Sequence, residues 1–328
     1  MLRTRTPKLP QIQRGIRDDL EQVVDELKRI VLSDFPAIGE VNDHLLWARG
    51  KLFRPTLLLL SNRVADRPHP RAVTLAAIIE LVHLATLVHD DAVDHSVLRR
   101  GMPTVNALWN HQTAVIMGDY LYSRSISALA ELGDVDHIAI LSRAANEMSV
   151  GELRQLSSCD ALDFNEADYE RLISSKTASL MSAACELGGA AGGGEYREAL
   201  ARYGHALGMA FQIADDLLDV TQSEAVVGKP TGQDLREHKV TLPLIAAMRE
   251  MGAAELGRVQ AFFAAPVPQD EAVTELSALV RSHGGLEYAR SRAADYGARA
   301  ADALLELPSN DATEALHGAV AYVVERTH

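Results

Sequence analysis

Two aspartate-rich segments carry most of the chemistry available to this chain: Asp90-Asp91-Ala92-Val93-Asp94 and Asp215-Asp216-Leu217-Leu218-Asp219. Each is an i, i+1, i+4 set inside an apolar helical run. That spacing puts the first and last carboxylates on one helix face, about 6 Å apart along the axis. Like charges at i, i+4 weaken a helix by roughly 0.2–0.5 kcal/mol. Setting them among core-type residues costs far more unless something pairs the charge. Hard divalent cations such as Mg²⁺ do so, because they take oxygen ligands, keep several waters and are shared with substrate phosphates. Two facing clusters point to a metal-bridged diphosphate site between helices.

Basic residues accompany both clusters. Lys51 and Arg54 follow Gly50 at a helix start, where side-chain charge and free N–H groups make an anion site. Arg99 and Arg100 follow the first cluster, Lys176 and Thr177 lie mid-chain, and Lys229 and Lys239 follow the second cluster with Asp234 between them. Any one of these is ordinarily a solvated surface charge. Their recurrence beside aspartates, or in apolar helices, favours a site holding two diphosphates, one reached through metal and one gripped directly. His83 lies two turns before Asp90 on roughly the same face and is a candidate phosphate donor. A lone histidine on an apolar helix is more often a hydrogen-bonded core residue, and His89 is read that way. Gln212, one turn before Asp216, can donate to a substrate oxygen or a carboxylate. No Ser, Cys or His nucleophile is evident.

The chain has 328 residues, 47% of them hydrophobic with few aromatics, and a formal net charge of −13. Such a composition suits a helical globular protein. The acidic balance argues against a nucleic-acid partner, yet metal ions and a few placed cations can invert the local sign for an anionic substrate. The two cysteines, Cys159 and Cys185, have no metal or redox spacing and read as reduced thiols. The N-terminus lacks an apolar signal-peptide region, and no uninterrupted apolar run reads as long enough to span a bilayer. A cytoplasmic protein without a transmembrane segment is expected, which can still handle a lipid product.

The elements that must position these residues read as helices. Residues 1–11 form a loose basic lead-in. Ile16, Leu20, Val23, Val24, Leu27, Ile30 and Val31 then recur at helical spacing. Short helices are predicted at about 37–48 and 51–65, and Asp66 to Pro70 marks a turn. A long helix at 71–94, apolar nearly all round, should be central and buried. Further helices are predicted at 103–131, 135–158, 166–190, 196–222, 239–251, 256–264, 270–283, 285–305 and 310–326. Strand-type alternation is absent. The expected fold is all-α, one helical bundle spanning 1–328, without internal repeats.

These residues together resemble the trans-prenyl diphosphate synthase family. The match includes Gly50-Lys51-Leu52-Phe53-Arg54-Pro55, the run from Glu80 through His83 to Asp94, and Arg99-Arg100-Gly101. It continues through Gly118-Asp119-Tyr120-Leu121, Gly151-Glu152, Lys176-Thr177, Phe211 to Asp219, Gly228-Lys229 and Lys239-Val240-Thr241-Leu242-Pro243. The resemblance implies an all-helical fold around a deep central cavity, usually a homodimer, and Mg²⁺-dependent head-to-tail condensation of isopentenyl diphosphate onto an allylic diphosphate. It implies that Asp90, Asp91, Asp94, Asp215 and Asp219 hold metal, with Asp216 close by. Arg99, Lys176, Lys229 and Lys239 would grip the allylic diphosphate, and Lys51, Arg54, His83 and Arg100 isopentenyl diphosphate. The chain departs from the family pattern where Arg49 and His238 replace usual glycines and Leu52 a usual arginine. A change in loop shape or affinity is expected there.

In this family, bulky side chains just before the first cluster stop chain growth early. Here Ala85 and Thr86 occupy those places, which favours a medium- or long-chain product beyond four isoprene units. A floor lower down is expected at Ile126 or Leu129. Three alternatives remain open: a short-chain geranylgeranyl- or farnesyl-type synthase, a terpene cyclase, and a subunit of a heteromeric synthase.

Overall fold

The computed structural model describes residues 6–47, 50–99, 101–158, 162–221 and 232–327. Fourteen helices of seven residues or more, with short turns between them, make up nearly all of it. They are α1 (Arg17–Ile30), α2 (Pro36–Trp47), α3 (Phe53–Arg63), α4 (Arg71–Val93), α5 (His111–Glu131), α6 (Val135–Ser158) and α7 (Glu166–Ile173). Then follow α8 (Ser179–Ala191), α9 (Arg197–Thr221), α10 (Leu242–Met248), α11 (Ala253–Phe263), α12 (Asp270–Ser282), α13 (Gly285–Leu304) and α14 (Asp311–Val324).

The expected α4 is present and central. Leu75, Ala76, Ala77, Ile78, Ile79, Leu81 and Val82 are fully buried, with Glu80 between them buried too, so no face of this middle stretch meets water. Its length and composition would suffice to cross a bilayer, contrary to the sequence expectation, but 67% of the apolar window is buried inside the fold. Its neighbours supply the nonpolar surroundings that lipid would otherwise provide. It packs on α5, α3 and α1, while α9 packs on α13 and α8. One continuous apolar core joins all these helices.

Four local differences from the sequence reading have physical causes. The basic lead-in is not loose throughout: Leu9–Ile12 form a helical turn that buries Leu9 and Ile12 and rests on α14. The single helix expected over 103–131 is broken, because Asn110 caps α5 by accepting a bond from the Thr113 N–H at 2.7 Å. Before it lies a two-stranded hairpin, β1 (Leu98–Arg99) with β2 (Met102–Pro103), turning at Gly101 with φ +76°. Such a short pair gives no alternation to read. The helix expected over 166–190 is interrupted by a π-helical turn, Ser174–Ala178, between α7 and α8. A widened turn inserts an extra residue and re-aims the side chains on it.

Candidate active site

The two aspartate segments end α4 and occupy the last two turns of α9, and both open onto one interior space. A cavity of about 710 Å³ is lined by Asp90, Arg99, Lys176, Thr177, Gln212 and Asp215, with Arg54 and His83 also on its wall. A smaller adjoining space of about 160 Å³ is bordered by Asp216, Asp234, Lys239, Tyr169 and again Lys176 and Thr177. The sequence therefore identified residues that the fold brings together. Lys51 is exposed and lines neither space, but its charge and that of Arg54 reach Asp215. Arg49, Arg100, Gly228 and Lys229 lie outside the described residues.

In the first cluster, the hairpin folds Arg99 back onto α4. Ser96 N–H donates to the Asp91 carbonyl at 3.0 Å, and Arg99 Nε donates to both Asp91 carboxylate oxygens at 2.8 Å. Burial pulls the Arg99 guanidinium down, but Asp91, with Asp90 and Asp94, holds it above its usual value. Lys176 Nζ lies 3.7 Å from Asp90, donates to Gln155 at 3.0 Å, and pairs with Glu152 at 2.5 Å. Lys239 Nζ lies 3.9 Å from Asp94 and 2.5 Å from Glu237. Desolvation pushes the Asp90 carboxyl up to about 6, against the pull of Lys176, and also raises Asp94.

The second cluster is more deeply enclosed. Asp216 is 4% exposed and accepts from Tyr169 Oη at 2.6 Å and Gln212 Nε2 at 2.8 Å. Gln212 Oε1 in turn accepts from Thr177 Oγ1 at 2.8 Å, so a polar chain runs from the π turn to α9. Burial pushes the Asp216 carboxyl up to about 7. Asp219 accepts from the backbone N–H groups of Gln233 and Asp234 at 3.0 Å each, and burial raises its carboxyl and that of Asp234. Asp215 pairs with Arg326 near the C-terminus, whose guanidinium also sits 4.8 Å over the Phe211 ring. Burial raises Asp215 despite that partner.

Small residues set the spacing around the cavity. A Cβ on Gly151 would stand 2.8 Å from the Lys176 backbone nitrogen, so only glycine lets α6 approach the π turn this closely. A Cβ on Gly118 would stand 2.3 Å from His89, whose Nε2 lies 3.2 Å from the Val115 carbonyl. His89 nevertheless borders the cavity as well as packing there. Ala85 and Thr86 line the cavity below Asp90. From α5, Asp119 and Tyr122 reach the cavity; Ile126 and Leu129 do not border it and instead belong to the packed core.

Sequence reasoning assigned no role to Glu152, Gln155, Tyr169 or Arg326. Glu152 stands in the quoted Gly151-Glu152 pair, which was a usable signal. Tyr169 and Arg326 reach the aspartates only through tertiary folding, so no local spacing marks them. Among the described residues, no three His, Cys, Asp or Glu side chains form a ready cage for a cation in this arrangement.

A helical fold with two facing aspartate surfaces, interleaved cations and an adjoining deep cavity defines an isoprenoid synthase. The chain belongs to the polyprenyl synthetase family, which it matches over residues 35–280, and it is a prenyltransferase of the polyprenyl diphosphate synthase type. It is 36% identical to heptaprenyl diphosphate synthase component 2 of Geobacillus stearothermophilus, covering 98% of this chain and 100% of that protein. The crystal structure of a decaprenyl diphosphate synthase from Rhodobacter capsulatus superposes with a TM-score of 0.93 at 38% identity, covering 98% and 100% of the two chains. A polyprenyl synthase from Caulobacter crescentus, complexed with calcium and isoprenyl diphosphate, gives 0.94 at 33% identity over 99% of each chain.

Proposed function

We propose that this enzyme uses Mg²⁺ to condense isopentenyl diphosphate head-to-tail with an allylic diphosphate, making a medium- to long-chain all-trans product. The observation that carries the chain length is the cavity passing Ala85 and Thr86 with no aromatic side chain at either position. The Caulobacter relative's calcium and isoprenyl diphosphate support divalent-metal use, as do relatives' long-chain names for product length.

The donor set fits a hard dication. It offers only carboxylate oxygens, and desolvation holds Asp90, Asp94, Asp215 and Asp219 above the usual carboxylate range, a burden that a cation would relieve. The lack of a ready cage is compatible with Mg²⁺, which is usually held by one or two carboxylates with waters and substrate phosphates. Asp90, Asp91, Asp94, Asp215 and Asp219 would hold it, and when bound it stabilises the departing diphosphate's charge.

The chain's own residues do the rest. Lys176, Lys239 and Arg99, with Lys229, grip the allylic diphosphate. Arg54, His83 and Lys51, with Arg100, receive isopentenyl diphosphate, which places its double bond toward the allylic carbon. Thr177 and Gln212 present neutral oxygens to the wall where cationic charge develops. The apolar side chains on the cavity wall, among them Val82, Ala85, Met148 and Phe211, would shield that cation from water. The proton lost after bond formation goes to the released diphosphate, so no side-chain base is needed.

We also read the chain as one domain that works as a cytoplasmic homodimer. Val115, Ile116 and Tyr122 on α5 and Val150, Leu153 and Leu156 on α6 are exposed. Tyr122 and the exposed Ser142, Asn146 and Ser149 also border the cavity, so a second copy on this face would complete its wall. A second reading follows from the Geobacillus relative's designation as one component: this chain would then need a different subunit.

Two substitutions test the subsite assignment. Arg54→Ala should raise KM for isopentenyl diphosphate selectively, and Lys239→Ala KM for the allylic substrate. The reverse pattern would overturn it. Activity of the purified chain alone would exclude the second-subunit reading.

A further inference from the structure

His238 stands immediately before Lys239, where the family usually has glycine, and its backbone is left-handed with φ +53°. A side chain there is strained, although His enters this region more readily than most residues. Something must hold it. The imidazole lies 5.4 Å from the Phe263 ring and 5.9 Å from the Phe262 ring, and those two rings meet edge-on at 5.5 Å. Both phenylalanines are buried at the end of α11, an element that borders neither cavity.

The turn held this way joins both aspartate faces. Upstream, the Gln233 and Asp234 N–H groups bond the two carboxylate oxygens of Asp219. Within it, His238 N–H donates to the Leu235 carbonyl at 3.0 Å and Lys239 N–H to the Asp234 carbonyl at 2.8 Å. Downstream, Lys239 Nζ pairs with Glu237 and reaches toward Asp94. Lys239 is therefore aimed by a turn that its neighbour His238 ties to the aromatic end of α11.

We propose that His238 is a positioning residue: its ring, wedged against Phe262 and Phe263, fixes the turn in one left-handed conformation and so pre-sets Lys239 for the diphosphate. The substrate consequence rests on the reading of Lys239 as an allylic-diphosphate grip. Glycine could adopt the same φ without strain, but it also has many other conformations to give up on binding. Pre-organisation would then be lost without any contact to substrate being removed.

The test compares His238→Gly, His238→Asn and Lys239→Ala in the purified enzyme. KM for each diphosphate, kcat, and hydrogen exchange of the 232–241 segment are measured. His238→Gly should raise allylic KM roughly two- to five-fold and speed exchange of that segment. KM for isopentenyl diphosphate and kcat should stay nearly constant, and His238→Asn, which tolerates the left-handed region but lacks the ring, should also speed exchange. Unchanged exchange in the glycine variant, an equal rise in both KM values, or an Asn variant that exchanges like wild type would each overturn the proposal. If Lys239→Ala leaves allylic KM unchanged while His238→Gly still speeds exchange, the role of Lys239 fails and the anchor stands.

Discussion

Replacing Asp90 with Asn should stabilise the metal-free protein while disabling it. Asp90 is mostly buried, and desolvation raises its carboxyl from its ordinary 3.8 to about 6 although Lys176 lies 3.7 Å away. The folded state therefore binds more protons than the unfolded state between those values, and stability falls as pH rises through that window. The cost is full above the folded pKa, roughly half at pH 5, and absent below the unfolded pKa. Two units correspond to about 3 kcal/mol at pH 8, an upper figure because the Asn amide also pays some desolvation. A protein of this length would gain a few degrees in Tm. Scanning fluorimetry in chelator at pH 8 and pH 5 reads this directly. The variant's advantage should be largest at pH 8 and shrink on acidification. Mg²⁺ with a diphosphate should stabilise wild type more than the variant, and kcat should drop about 10²-fold or more. A variant less stable than wild type at pH 8 would refute the claim that this carboxylate is held at a cost for function.

Three further outcomes follow from particular contacts. Ala85→Phe should shorten the product, because its ring would enter the cavity below Asp90; unchanged product length would remove Ala85 from the pocket assignment. Tyr169→Phe removes one of two side-chain donors to the buried Asp216 and should cost about 1–3 kcal/mol in chemical denaturation; a loss within error would mean the network is not needed for stability. Arg326→Ala should lower the Mg²⁺ concentration needed for half-maximal activity, since Arg326 pairs with Asp215, a carboxylate assigned to metal. An unchanged Mg²⁺ requirement would show that the two do not compete.

The helices were legible because apolar periodicity and burial agree, most clearly in α4. The aspartates were legible because their spacing is costly without a counter-charge, and Lys176 and Lys239 because each follows from the same need. What escaped depends on geometry that spacing does not encode. The π turn at Ser174–Ala178 changes helical pitch without any Gly or Pro to announce it. Tyr169 bonds Asp216 across the fold, and Arg326 reaches Asp215 from the far end of the chain. The expected floor also turned on tertiary packing: Ile126 and Leu129 lie on α5 but pack in or against the core, whereas Tyr122, one turn before Ile126, borders the cavity. The departures at Leu52 and His238 both fall at positive φ, 52° and 53°, a region that side chains rarely adopt, and nothing in the structure explains the leucine.

The most direct test of the account is to size the products made by the purified protein from Mg²⁺, isopentenyl diphosphate and a set of allylic starters. The account predicts a ladder of all-trans products that ends beyond four isoprene units. A stop at four units or fewer would contradict it, because the space past Ala85 and Thr86 would then not be available to the growing chain.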